Sequence, residues 1–177
     1  DFNKGFYESY AIGGWEPGVS TLELAGAYSA FGNEGIYNEP YAVTKIVLAD
    51  DTEEKFTSEP VVAMKESTAF MVTDMLKSVM TSGTGTTANV SGLPVAGKTG
   101  TTNYTDEERQ KYNISRTPVP DAWFVGYTTN YTAAIWTGGE NRKDYLDKSE
   151  QKYAQRMFKA LMTKVSEGKK TKDFKKP

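Results

Sequence analysis

Apolar positions along this chain fall into helical and strand periods, separated by polar or glycine-rich breaks. In "VSTLELAGAYSAFGNEG" (19–35), Leu24, Ala27, Tyr28 and Phe31 recur at helical spacing. Ser20 and Glu23 form a capping box ahead of them, and Gly32 to Gly35 stop the helix. "YAVTKIVLADDTEEKF" (41–56) predicts a hairpin turning at Asp50 and Asp51. A second helix, about 67–80, places Met71, Val72, Met75, Leu76 and Val79 inward and ends in "TSGTGTTAN". A methionine-rich stripe at this spacing is read as core packing rather than as a binding surface. Three strands follow, "PVAGKTGTT" (94–102), "DAWFVGYTT" (121–129) and "YTAAIWTGG" (131–139), the last two joined tightly around Asn130. Trp123, Val125 and Tyr127 alternate with Ala122 and Phe124, so both faces are apolar and the sheet is expected to carry helices on both sides. A closing helix, about 149–166, buries Ala154, Met157, Phe158, Leu161, Met162 and Val165. Between the first two strands lies "NYTDEERQKYNISRTPVP" (103–120), an 18-residue polar loop of a length that is often functional in a compact domain.

Composition narrows the chemistry. The 177 residues fit one domain or part of one, and 38% hydrophobic with 25% charged residues is ordinary for a globular chain. No apolar run approaches the roughly 18 residues that mark a membrane span. There are no cysteines, which excludes disulfides and thiolate chemistry. There are no histidines either, so neither a Ser-His-Asp triad nor a His-ligated metal can lie within these residues. The net charge of −2 is uneven: the tail "GKKTKDFKKP" has five Lys and one Asp, which is +4 and leaves −6 for the rest. Residues 168–177 are read as a solvated, disordered basic end, and 1–167 as the folded portion.

The stretch "VAGKTGTTN" (95–103) carries the candidate chemistry. Lys98 is a point charge with three donors, suited to holding a carboxylate or an anion. Gly100 weakens a strand and is best justified by something approaching the backbone closely, such as an extended ligand added along an edge. Thr99, Thr101 and Thr102 supply hydroxyls, and a backbone N–H here could face an oxyanion. The bare tripeptide Lys-Thr-Gly is better explained as a plain edge strand with a solubilising lysine and β-favouring threonines, because three residues recur by chance.

Its context is not so easily explained. From "GVSTLELAGAYSAFGNEGIYNEPY" through "STAFMVTDMLKSVMTSGTG" and "LPVAGKTGTTN" to "DAWFVGYTTNYTAAIWTGG", the chain resembles the C-terminal half of the penicillin-binding protein transpeptidase domain, especially that of the bifunctional class A enzymes. The likeness covers about 13–139 and the closing helix. It implies an α+β fold of the penicillin-binding protein and serine β-lactamase type, an antiparallel sheet flanked by helices, present here as its C-terminal portion. The complete family sheet has five strands, of which this piece would supply three. Lys98-Thr99-Gly100 matches the family's third motif, on the strand lining the active site. By resemblance, Lys98 would support the proton network and the substrate's anionic end, and Thr99 and Thr101, with Thr102 beside them, would bind the carboxylate of a peptidoglycan stem peptide or a β-lactam. The Thr101 N–H would form half of an oxyanion hole, and Gly100 would leave room for the substrate backbone.

The family's other two motifs are missing. Ser-x-Asn does not occur, and Ser-x-x-Lys occurs only at Ser149 and Ser166, after the Lys-Thr-Gly instead of well before it. Ser149 is expected to cap a helix and Ser166 to end one, so neither is taken as the nucleophile. The chain thus reads as a fragment that needs the remainder of its own transpeptidase domain. The implied reaction is acyl transfer from D-Ala-D-Ala through a serine ester, on the outer side of the bacterial cytoplasmic membrane, with an anchor elsewhere. Stem peptides, lipid-linked precursors and β-lactam antibiotics are the expected partners; no metal, organic cofactor or nucleic acid is implied. A D,D-carboxypeptidase or serine β-lactamase relative would share the strand motif, and a non-catalytic cell-wall binding or assembly module would have lost its serine. The residues upstream would separate these readings.

Overall fold

The computed structural model describes residues 7–14 and 18–177. Positions 1–6 and 15–17 of the expected 1–167 unit lie outside the described residues. Helix α1 spans Thr21–Gly32 and opens on the capping box read from the sequence: Ser20 Oγ accepts from Glu23 N at 3.2 Å while Glu23 Oε2 accepts from Ser20 N at 2.7 Å. Strand β1 (Ile36–Tyr37) pairs with β4 (Val61–Val62), and β2 (Lys45–Val47) with β3 (Glu53–Lys55), both antiparallel. The β2–β3 turn falls at Asp50 and Asp51, with Asp51 in the left-handed region. Helix α2 (Glu66–Thr81) leads to β5 (Ala96–Thr101), α3 (Asp106–Tyr112), β6 (Asp121–Tyr127), β7 (Thr132–Gly138) and α4 (Tyr153–Val165).

Strands β5, β6 and β7 form an antiparallel sheet in that order, so β5 and β7 are its edges among the described residues. The faces divide as the alternation requires. Phe124 points to α4, where its ring meets Phe158 edge-on at 4.7 Å, and Met80, Ala88, Val95, Ala154 and Met162 complete that core. Tyr127 points the other way, against Tyr28 and Phe31 of α1 and Thr73 of α2. Its hydroxyl shares a 2.8 Å hydrogen bond with Thr73, and burial pushes its pKa up to about 12.

Four expectations change. Helix α2 buries Ala69, Thr73 and Met80, while Met71 and Met75 are 59% and 62% exposed. The helix meets the sheet through the stripe at 69, 73 and 80, which contains a threonine because Tyr127 offers it a hydrogen bond. In α4, likewise, Gln155 is buried while Met157 and Leu161 are half-exposed. The 103–120 segment is not a plain loop: it contains α3, with its own capping box between Thr105 and Glu108. Ser149 also loses its assigned role, because the carboxylate of Asp147 accepts the N–H groups of Ser149 and Glu150.

The basic tail has no regular secondary structure, and it lies against the fold instead of extending from it. Asp173 pairs with Lys77 of α2 at 2.8 Å, the Phe174 ring meets Tyr127 edge-on at 5.5 Å, and Lys175 faces Glu66 and Glu34. Thr129 and Asn130, at the β6–β7 turn, donate to the carbonyls of Lys172 and Lys170. A half-buried aromatic ring in this position contributes about 1–2 kcal/mol. Phe174→Ala is therefore expected to lower the unfolding free energy of the complete transpeptidase domain by about that amount in a urea titration. An unchanged midpoint would show that the strap is only lying on the surface.

Candidate active site

The site is built on the outer edge of β5. Its ladder partners are Lys98 with Val125, Thr99 with Phe124, Gly100 with Trp123 and Thr101 with Ala122. The direction of each backbone group follows from the β6–β7 turn, where Thr128 N donates to Tyr131 O at 2.8 Å. In an antiparallel ladder, hydrogen-bonded pairs recur every second residue. Stepping back from 128 and 131, Phe124 and Ala122 point their N–H and C=O groups toward β7, so Tyr127, Val125 and Trp123 point theirs toward β5. Ala96, Lys98 and Gly100 answer them. The N–H and C=O groups of Thr99 and Thr101 consequently face away from the sheet, along its open edge. Lys98 Nζ agrees with this, donating to Thr99 O at 2.9 Å.

The two glycines of the strand have different causes. A Cβ at Gly97 would stand 2.7 Å from Phe124 Cζ and 2.9 Å from the Val125 carbonyl, so core packing requires glycine there. A Cβ at Gly100 would meet only Trp123 Cβ, at 3.4 Å, an ordinary contact. Nothing within the described fold demands glycine at 100.

The hydroxyls of the motif are already oriented. Thr99 Oγ1 shares a 2.7 Å hydrogen bond with Thr84, in the glycine-rich turn after α2. Thr102 Oγ1 donates to Asp121 Oδ2 at 2.8 Å, at the start of β6. Lys98 and Thr101 are exposed and Thr99 is half-buried, so the edge is accessible. The structure therefore brings Lys98, Thr99, Gly100, Thr101 and Thr102 onto one short accessible edge. It does not bring the two Ser-x-x-Lys serines into a nucleophile's setting. Ser149 Oγ donates to Asp147 Oδ1 at 2.8 Å, and Ser166 Oγ is buried without a hydrogen-bond partner. Among the described residues no group of three or more acidic side chains could hold a metal ion, and no helix is long and apolar enough to cross a membrane.

Sequence reasoning missed the cluster just beyond the strand. Tyr104 is 5% exposed, and its ring has the Arg142 guanidinium at 5.2 Å and that of Arg109 at 5.5 Å. Arg142 is bidentate to Glu108, with Nε to Oε1 and Nη2 to Oε2 both 2.9 Å. The Arg142 fork, with the Thr105 N–H, holds the Glu108 carboxyl down to about 2. Burial raises the Tyr104 phenol. The Thr105–Glu108 capping signal was present in the sequence; the approach of Arg142 from beyond β7 had none.

The accessible edge strand carrying Lys-Thr-Gly thus belongs to an antiparallel sheet with helices on both faces. Residues 2–163 match the family "Penicillin binding protein transpeptidase domain", and the chain belongs to that family. Penicillin-binding protein 1A/1B of Bacillus subtilis (strain 168) is 51% identical over 175 residues, covering 96% of this chain and 19% of the relative. Penicillin-binding protein 1A of Streptococcus pneumoniae (strain ATCC BAA-255 / R6) is 43% identical over 161 residues, covering 90% of this chain and 22% of that protein. The chain thus spans about a fifth of the length of these curated relatives. Among solved structures, the PonA1 protein from Mycobacterium tuberculosis in complex with penicillin V superposes with a TM-score of 0.71 at 27% identity, over 87% of this chain and 40% of that one. Penicillin-binding protein 1A from Haemophilus influenzae shares the fold at a TM-score of 0.69 and 19% identity, over 90% of this chain and 28% of that one.

Proposed function

We propose that this chain forms the Lys-Thr-Gly wall of the active site of a serine D,D-transpeptidase, which cross-links peptidoglycan stem peptides and is acylated by β-lactams. The observation that carries the reading is the edge of β5. Thr99 and Thr101 direct their N–H and C=O groups outward, and Gly100 between them lacks a side chain for which the fold itself has room. An extended peptide could add there as a further strand. In this reading the Thr101 N–H stabilises the oxyanion, Lys98 supplies positive charge to the reacting serine network and the substrate carboxylate, and Thr99, Thr101 and Thr102 grip that carboxylate. The serine comes from the remainder of the transpeptidase domain. A place for that remainder is suggested by the half-exposed apolar residues Met71, Met75, Met157 and Leu161 and by the open edge of β7. The reaction belongs outside the bacterial cytoplasmic membrane, where cell-wall stem peptides are cross-linked, with the anchor in another part of the longer protein.

The glycines supply the experiment. In the complete protein, Gly100→Val is expected to leave the melting temperature unchanged, because the new Cβ makes an ordinary contact and valine suits a strand. Steric overlap with the ligand's backbone should slow penicillin acylation about 10-fold to 100-fold. Gly97→Ala is expected to do the reverse, lowering stability through Phe124. Acylation of Gly100→Val at the wild-type rate would reject substrate approach along this edge.

A further inference from the structure

We propose that Arg142 is a positioning residue for the active-site strand, holding the segment that leaves β5 so that the Thr101 N–H keeps its aim. This rests on the functional reading of β5 given above. The strand ends at Thr101, and the next three residues are each held in place. Thr102 donates to Asp121 at 2.8 Å, the Asn103 carbonyl takes Arg142 Nη2 at 3.5 Å, and the buried Tyr104 ring packs against the Arg142 guanidinium. The same guanidinium closes two parallel 2.9 Å bonds to Glu108. Glu108 in turn receives the Thr105 N–H at 2.9 Å, which fixes the start of α3. One side chain therefore ties the strand exit, the buried tyrosine and α3 together, and none of these groups belongs to the Lys-Thr-Gly motif.

The chemistry favours arginine specifically. A planar fork can satisfy both carboxylate oxygens while its face lies on an aromatic ring, which a lysine ammonium cannot do. The tie is partly exposed, with Arg142 at 47% and Glu108 at 25% side-chain exposure, so it adds little to global stability. It acts on the position of a backbone donor instead. A displacement of about 1 Å at a reacting centre can cost up to about 100-fold in rate.

The test compares three variants of the complete protein: Arg142→Gln, Arg142→Lys and Glu108→Gln. A glutamine at 108 retains the capping box and loses only the charged fork. For each, noncovalent penicillin affinity, the first-order acylation rate and the melting temperature are measured. Arg142→Gln and Glu108→Gln should each slow acylation about 10-fold to 100-fold while changing affinity and melting temperature little. The double variant should be no slower than either single one, because the two side chains act as one unit. Arg142→Lys should recover less than a third of the lost rate, since charge alone does not rebuild the fork. Additive losses, full rescue by lysine, or a rate loss matched by a collapse in melting temperature would each overturn the proposal. Lys98→Ala, measured alongside, separates the two readings: normal acylation there removes the functional assignment, whereas slow acylation there with a normal Arg142→Gln removes only the positioning role.

Discussion

Lys98→Ala in the complete protein is expected to slow acylation by penicillin about 30-fold to 1,000-fold, equivalent to about 2–4 kcal/mol of lost transition-state stabilisation. The side chain is exposed, and its recorded contact is one hydrogen bond to the neighbouring Thr99 carbonyl. Little of the fold depends on that bond, so the melting temperature should hold. Because the ammonium is held by the same edge that would receive a ligand, a substrate carboxylate could take over the interaction without a large rearrangement. Charge-assisted bonds of this kind strengthen when the ligand excludes water, which is why the expected loss exceeds that of an ordinary surface lysine. Stopped-flow acylation and a thermal melt on the same preparation decide it. An acylation rate within threefold of wild type would rule the role out, whatever the melt shows.

Most of the fold was legible in the sequence because its signals are local. The Ser20–Glu23 capping box, the Asp50–Asp51 turn and the two apolar faces of 121–127 each depend on residues a few positions apart. The errors arose where a distant partner decided the matter. In α2 the most apolar stripe is not the buried one: the buried stripe contains Thr73, whose hydroxyl is matched by Tyr127, 54 residues away. The basic tail looked like a solvated end, yet Phe174 and Asp173 have partners on Tyr127 and Lys77, the latter 96 residues earlier. α3 is a different kind of miss: its capping residues were in view, but a seven-residue helix offers too little periodicity to be seen. For the site, Lys98 to Thr102 could be read from the motif. Arg142 could not, because only the fold carries it across to Glu108 and the Asn103 carbonyl.

The 177-residue chain by itself is expected to form no covalent adduct with a β-lactam. Acylation needs a serine within hydrogen-bond reach of its base, facing an assembled oxyanion hole. Neither of the two serines with a lysine three residues later stands in a nucleophile's setting. Ser149 Oγ is bound to a carboxylate that caps a short helical turn, and Ser166 Oγ is buried at the end of α4 with no partner to take its proton. Neither meets Lys98, which instead holds the Thr99 carbonyl. In the proposed reading the strand offers a carboxylate grip and the outward N–H groups of Thr99 and Thr101, and neither of these two serines is placed beside them to attack a carbonyl. Supplying the rest of the domain as a second polypeptide should restore labelling, and the label should fall on a serine of that second chain. Intact-mass measurement after incubation with fluorescent penicillin distinguishes the outcomes. A stoichiometric adduct on this chain alone, at any of its serines, would overturn both the assignment of the nucleophile to the rest of the domain and the division of the site proposed here.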